Sequence, residues 1–173
     1  MLNNSRMHSI YLLFFPTLFL GLIFQIIRLP EIIAENRPDF IILVLIFFAM
    51  IDNRKVTLEF AWITGLILDF LSGAPLGINA LMLAAQFYLI VSQFSRFPLY
   101  HVWQQAIIIG IVNLIVHVIG YWIEHLIGIS FYQSSFLISS GILILAWPVF
   151  FIILTMLCAA FSIPVKNKDN GLN

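Results

Sequence analysis

The chain has 173 residues, 62% hydrophobic and only 9% charged, and its eight Lys plus Arg balance its eight Asp plus Glu to a formal net charge of +0. A soluble domain runs nearer half apolar and a quarter charged, and a globule this small keeps too much surface to hide so many apolar side chains from water. A soluble enzyme is thereby excluded, and with no basic surface to gather phosphates so is a nucleic-acid reader. What remains is an integral membrane protein.

Lipid offers the backbone no hydrogen bonds, so spans are helices or a closed barrel. Barrel strands alternate apolar and polar residues, whereas the stretch from Phe40 to Ile51 is apolar at every position. The spans are therefore predicted to be helical. The first run covers 9–27 and is broken by Arg28 and the Pro30-Glu31 pair. It is too long for the core of a cleaved leader, and no small-x-small site follows it, so it reads as a span. The second covers 39–51, entered by Arg37-Pro38-Asp39 and closed by Asp52-Asn53-Arg54-Lys55. Pro38 at a helix start costs no backbone bond, and Asp39 in the first turn suits the helix dipole. The third and fourth runs, 56–71 and 78–94, flank the turn Ser72-Gly73-Ala74-Pro75-Leu76-Gly77. The fifth covers 102–127 and the sixth 136–161, and the polar tail 162–173 is expected to fray.

Crossing about 30 Å of hydrocarbon takes roughly 20 residues. The second and third runs, at 13 and 16 residues, are short. They extend through the turn at 52–55, tilt, or form a hairpin that does not cross. The expectation is an all-α, six-transmembrane-helix bundle forming a single membrane domain, with four spans plus a hairpin as the alternative. With the N-terminus inside, the inner segments hold Arg6, Arg54, Lys55, Arg96, Lys166 and Lys168, and the outer ones only Arg28 and Arg37. Both termini are then cytoplasmic.

An acidic group at span centre costs about 3 kcal/mol on insertion scales, so Glu59, Asp69 and Glu124 stand out. Asp69 lies in a block where Gly65, Asp69, Gly73 and Gly77 recur every four residues. While the helix lasts, positions four apart share a face, so Gly65 and Asp69 form a small-and-acidic stripe where another helix can come close. Asp69 either binds a proton, a cation or a partner's basic side chain, or it caps the N-terminus of a neighbouring helix. In the fifth run Gly110, Asn113, His117, Gly120 and Glu124 are spaced 3, 4, 3 and 4, again one helix face. That stripe is expected to face the bundle interior, as a polar packing seam or the lining of a cavity. It is not read as a metal site, because His117 and Glu124 are two turns, about 10 Å, apart. No nucleophile elbow, His-Glu-x-x-His pair, P-loop or carboxylate cluster is present, and the single Cys158 forms no internal disulfide. Neither an enzyme nor a cofactor is expected.

Three blocks together carry a resemblance. Arg37-Pro38-Asp39 opening a span, Gly65-x-x-x-Asp69 running into Ser72-Gly73-x-x-x-Gly77, and Trp103-Gln104-Gln105 resemble the bacterial rod shape-determining MreD family. Length, span number and orientation fit as well. The resemblance implies a non-enzymatic component of the machinery that directs lateral cell-wall synthesis. It implies MreC as the direct partner, with MreB, RodA, its transpeptidase partner and RodZ in the same complex, and leaves homodimer formation open. It also implies a fold similar to the substrate-binding membrane component of energy-coupling-factor transporters. On that likeness the competing reading is a pocket for a small molecule or lipid, lined by Asp69, Asn113, His117 and Glu124.

Overall fold

The computed structural model describes residues 2–27, 38–52, 56–93, 96–127, 136–161 and 163, with side chains from Ile10 onward. Helix α1 spans Leu2–Ile26, α2 Phe40–Ile51, α3 Leu58–Ser72 and α4 Ile78–Tyr88. A π-helical turn, Leu89–Gln93, prolongs α4, and a 3-10 turn, Phe97–Leu99, leads towards α5, Val102–Ile127. Helix α6 covers Phe136–Ala160. Among the described residues, two stretches are long and apolar enough to cross a membrane, Val102–Ile123 in α5 and Leu137–Ala160 in α6. Shorter apolar helical stretches run over Ile10–Ile26, Phe40–Ile51 and Ile78–Ser92.

The shortest apolar run finds its explanation in its place. Every residue of α2 from Ile41 to Ala49 is buried, and the helix packs against α1, α4 and α6. A helix that is apolar on all sides belongs in an interior. At 12 residues, α2 is only about 18 Å long, and its apolar character serves burial by protein. Asp39 occupies its N-cap position, one residue before the first turn where the sequence placed it, and makes no capping bond from its side chain.

Around α2 the chain folds back on itself. Helices α3 and α4 form one closely packed hairpin, α5 and α6 another, and α1 lies against α2. Phe14 of α1 meets Phe48 of α2 and Phe60 of α3 edge to face, with centroids 5.3 and 5.8 Å apart, a favoured aromatic geometry. Phe47 of α2 meets Phe151 of α6 in the same way at 5.6 Å. The outer faces are apolar too: Phe70 is 80% and Leu126 83% exposed, alongside Phe19, Leu81, Ile119, Leu145 and Met156. Contiguous apolar surface of this kind marks contact with lipid or with other proteins.

Candidate functional site

Among the described residues, two polar clusters inside this apolar bundle are built around a carboxylate, and they do not share a hydrogen bond. The first closes the α3–α4 hairpin. Helix α3 stops at Gly73 (φ 71°) and α4 starts after Gly77 (φ 102°), both in the left-handed region that L side chains avoid. Gly77 stands at the N-cap of α4 without a side chain to cap it. Asp69, one turn before the end of α3 and fully buried, supplies that cap from across the turn. Its Oδ2 accepts from the backbone N–H of Gly77 at 2.9 Å and of Ala80 at 3.3 Å. Its Oδ1 accepts from Asn79 N at 3.0 Å and Asn79 Nδ2 at 2.9 Å. The carboxylate thus satisfies the orphan donors at the positive end of the α4 dipole. One turn further back, a Cβ on Gly65 would overlap the backbone of Asn79 and Ala80, so its bare Cα is what lets α4 lie against α3. The block from Gly65 to Gly77 therefore builds the hairpin, and Asp69 has the geometry of the capping reading.

The second cluster gathers side chains from five helices. Asp39, at the start of α2, lies 2.6 Å through Oδ2 from His117 Nε2 of α5. The same oxygen accepts from Asn113 Nδ2 at 3.2 Å, and Oδ1 accepts from Gln25 Nε2 of α1 at 3.3 Å. Asn113 also donates to Gln86 Oε1 of α4 at 3.3 Å and accepts from Ser140 Oγ of α6 at 2.8 Å. Gln86 Nε2 stands 3.4 Å from His117 Nε2. Asn113 is buried, whereas His117 and Asp39 keep 14% and 20% of their side chains exposed. Gly110 and Gly120 are buried on the same face of α5, packed against the side chains of Ile144 and Met82. Pro38 is buried beside Asp39, and its carbonyl accepts from Phe40 N at 2.9 Å. Arg37 and the side chain of Glu124 lie outside the described residues. Glu59 is exposed at the start of α3 and accepts from Thr57 Oγ1 at 3.3 Å.

Trp103-Gln104-Gln105 divides between surface and core. Trp103 is exposed, and Gln104 Oε1 accepts from His101 N at 3.2 Å. Gln105 is buried and clamps the turn before α5, donating to the carbonyls of Phe97 and Tyr100 at 3.2 and 3.1 Å. Its Oε1 accepts from Trp147 Nε1 of α6 at 3.2 Å. Among the described residues, apolar grooves open on the outside of the bundle at two places. One, of about 290 Å³, runs between α1, α2 and α6 past Gly21, Phe24, Phe40, Val44 and Ile153. The other, of about 390 Å³, runs between α3, α4 and α5 past Trp62, Leu81, Met82, Ile119 and Gly120. Asp69, Asn113 and His117 line neither.

Compared with known proteins, residues 5–157 match the family model described as rod shape-determining protein MreD. The chain belongs to the MreD family. It is similar to the rod shape-determining protein MreD of Haemophilus influenzae, with 22% identity over 118 residues that cover 68% of this chain and 73% of that protein. No solved structure matches. Membership assigns a role in rod shape determination to a structural, non-enzymatic protein.

Within this MreD-family chain the sequence-nominated residues separate into two groups. Gly65, Asp69, Gly73 and Gly77 come together in the hairpin, while Asp39, Asn113 and His117 come together in the second cluster. Three members of that second cluster escaped the sequence reading: Gln25, Gln86 and Ser140. Gln25 and Gln86 carried a usable signal, because each is an amide in an otherwise apolar run. The Asp39–His117 pair carried none, since 78 residues separate them and only the folded bundle brings them into contact.

Proposed function

We propose that the chain is a multi-pass protein of the bacterial cytoplasmic membrane, a single six-helix membrane domain with both termini in the cytoplasm. There it docks the transmembrane helix of MreC within the cell-wall elongation complex that includes MreB, RodA, its transpeptidase partner and RodZ. Its bundle is of the kind found in the substrate-binding component of energy-coupling-factor transporters. One observation carries the reading: polar side chains inside the bundle bond to one another, while the outer faces present large apolar side chains and two open grooves. A protein so arranged offers its surroundings shape and apolar area, the currency of helix association in lipid. Because Asp69 serves the hairpin, docking is assigned to the outer faces rather than to the small-and-acidic stripe.

Co-purification of MreC with the full-length chain from cell membranes tests this. Trp62→Ala with Leu81→Ala, or Ile153→Ala with Leu157→Ala, is expected to weaken recovery of MreC while the protein stays folded. Full recovery of MreC with both pairs altered overturns the proposal. A second reading, a membrane protein that binds a lipid or apolar small molecule, is favoured by the same two grooves. Mass spectrometry of the purified protein would then find a stoichiometric bound molecule that survives detergent exchange and is lost when Gly21→Leu fills the first groove.

A further inference from the structure

The second polar cluster does more than fill the space between helices, because one of its nitrogens stands between a proton acceptor and a proton donor. His117 Nε2 lies 2.6 Å from the Asp39 carboxylate and 3.4 Å from the amide nitrogen of Gln86. Carrying a hydrogen, Nε2 donates to Asp39 and has nothing to offer Gln86. Both ring nitrogens of the imidazolium carry a hydrogen, and loss of either removes the positive charge facing Oδ2; where Nε2 gives up its own, its lone pair repels Oδ2 and accepts from Gln86. The charged ring therefore holds Asp39 more tightly than the neutral ring does. We propose that Asp39 and His117 form a proton-operated latch that holds the N-terminal end of α2 against α5.

The groups facing the pair make the charge change felt. Gln25 on α1, Gln86 on α4, Asn113 on α5 and Ser140 on α6 are neutral, and His117 is the one ion-pair partner of Asp39 among the described residues. With the proton on His117, an imidazolium meets a carboxylate through a charge-assisted bond. When that proton leaves to water, the carboxylate keeps only amide donors and one neutral ring. The exposed fractions of both side chains give the proton a route in and out. Histidine is the side chain whose ordinary pKa, about 6.5, makes such a change accessible near neutral pH. Displacement of α2 also has an outlet. Phe40 directly follows Asp39 and lies edge to face with Phe24, centroids 5.1 Å apart, and both line the groove between α1, α2 and α6 together with Val44. Release of the latch as pH rises loosens that groove.

The test uses the full-length protein in nanodiscs, with Cys158→Ala as the background and a thiol probe in the groove. Maleimide labelling of Val44→Cys, buried in the resting bundle, is followed from about pH 6 to pH 9 and divided by labelling of His101→Cys, exposed in the turn before α5, to cancel thiolate chemistry. The ratio is expected to climb with pH, approaching ten-fold per unit in the steep region for one linked proton. His117→Gln and Asp39→Asn retain polar groups that do not titrate and are expected to flatten the profile. Glu59→Gln, exposed at the start of α3, is expected to leave it unchanged. A flat ratio in the parent protein overturns the latch, and this arm stands even if the His117 and Asp39 variants fail to fold. A slope that persists in His117→Gln, or that disappears with Glu59→Gln instead, overturns it equally.

Discussion

Truncating Asp69 to alanine removes a carboxylate that accepts four hydrogen bonds, three from the backbone N–H groups of Gly77, Asn79 and Ala80 at the start of α4 and one from the Asn79 side chain. A hydrogen bond contributes about 1 kcal/mol net, and more when one partner is charged. Loss of an N-cap alone costs about 0.5–2 kcal/mol. Gly77 and Asn79 are only half-buried and regain some solvation, whereas Ala80 is buried and cannot. Asp69→Ala is therefore expected to destabilise the protein by about 3 kcal/mol, roughly a hundred-fold in the folding equilibrium. Asp69→Asn keeps one oxygen, enough for the two bonds from Asn79, but turns an amide against the donors of Gly77 and Ala80. It should cost about half as much. Reversible unfolding of the detergent-solubilised protein by sodium dodecyl sulfate, followed by circular dichroism, measures both. If Asp69→Ala unfolds within about 0.5 kcal/mol of the parent, the range of an unremarkable surface change, the capping argument fails.

Further outcomes follow from other contacts. Gly65→Val should separate α3 from α4 and lower the unfolding midpoint sharply, because its Cβ meets backbone that cannot rotate away, whereas Gly141→Ala, with open space around its Cβ, should leave the midpoint unchanged. Gly73→Ala and Gly77→Ala should each cost about 1–2 kcal/mol, since both impose a left-handed backbone on an L residue. Gln105→Leu should orphan the indole N–H of buried Trp147 and release the turn at Phe97–Tyr100. A cost of about 2 kcal/mol and faster amide hydrogen exchange over that turn are the expected readouts.

Much of this arrangement was legible as apolar runs. Four of the six described helices fall within those runs, α3 overruns the third by one residue at Ser72, and α1 overlaps the first but starts earlier, at Leu2, because uninterrupted apolar stretches bounded by charge and proline have few other solutions in a chain of this composition. The glycine–aspartate block was legible as a close-approach stripe ending in a turn, since a four-residue spacing and two punctuating glycines are local facts. What the block does depended on the return path of α4, which brings the donors of Gly77 and Ala80 under Asp69. The place of α2 was hidden for a different reason. Hydropathy cannot distinguish a side chain covered by lipid from one covered by protein, and a run too short to cross looked like a defect in topology. Its shortness is accounted for by its position at the centre. Likewise the inward stripe on α5 announced Asn113 and His117 by periodicity, but not Asp39 as their partner, because periodicity reports one helix face and says nothing of what packs against it.

The central claim, that the apolar outer faces dock MreC, meets its most direct test in site-specific photo-crosslinking in living cells. A photoreactive residue is placed in turn at Leu81 and Ile119, beside the α3–α4–α5 groove, and at Ile153 and Leu157, beside the α1–α2–α6 groove, with buried Phe48 as the interior control. The account predicts an MreC adduct from at least one groove and none from Phe48. Adducts only with lipid or with a second copy of the chain, from all four outer positions, would contradict it.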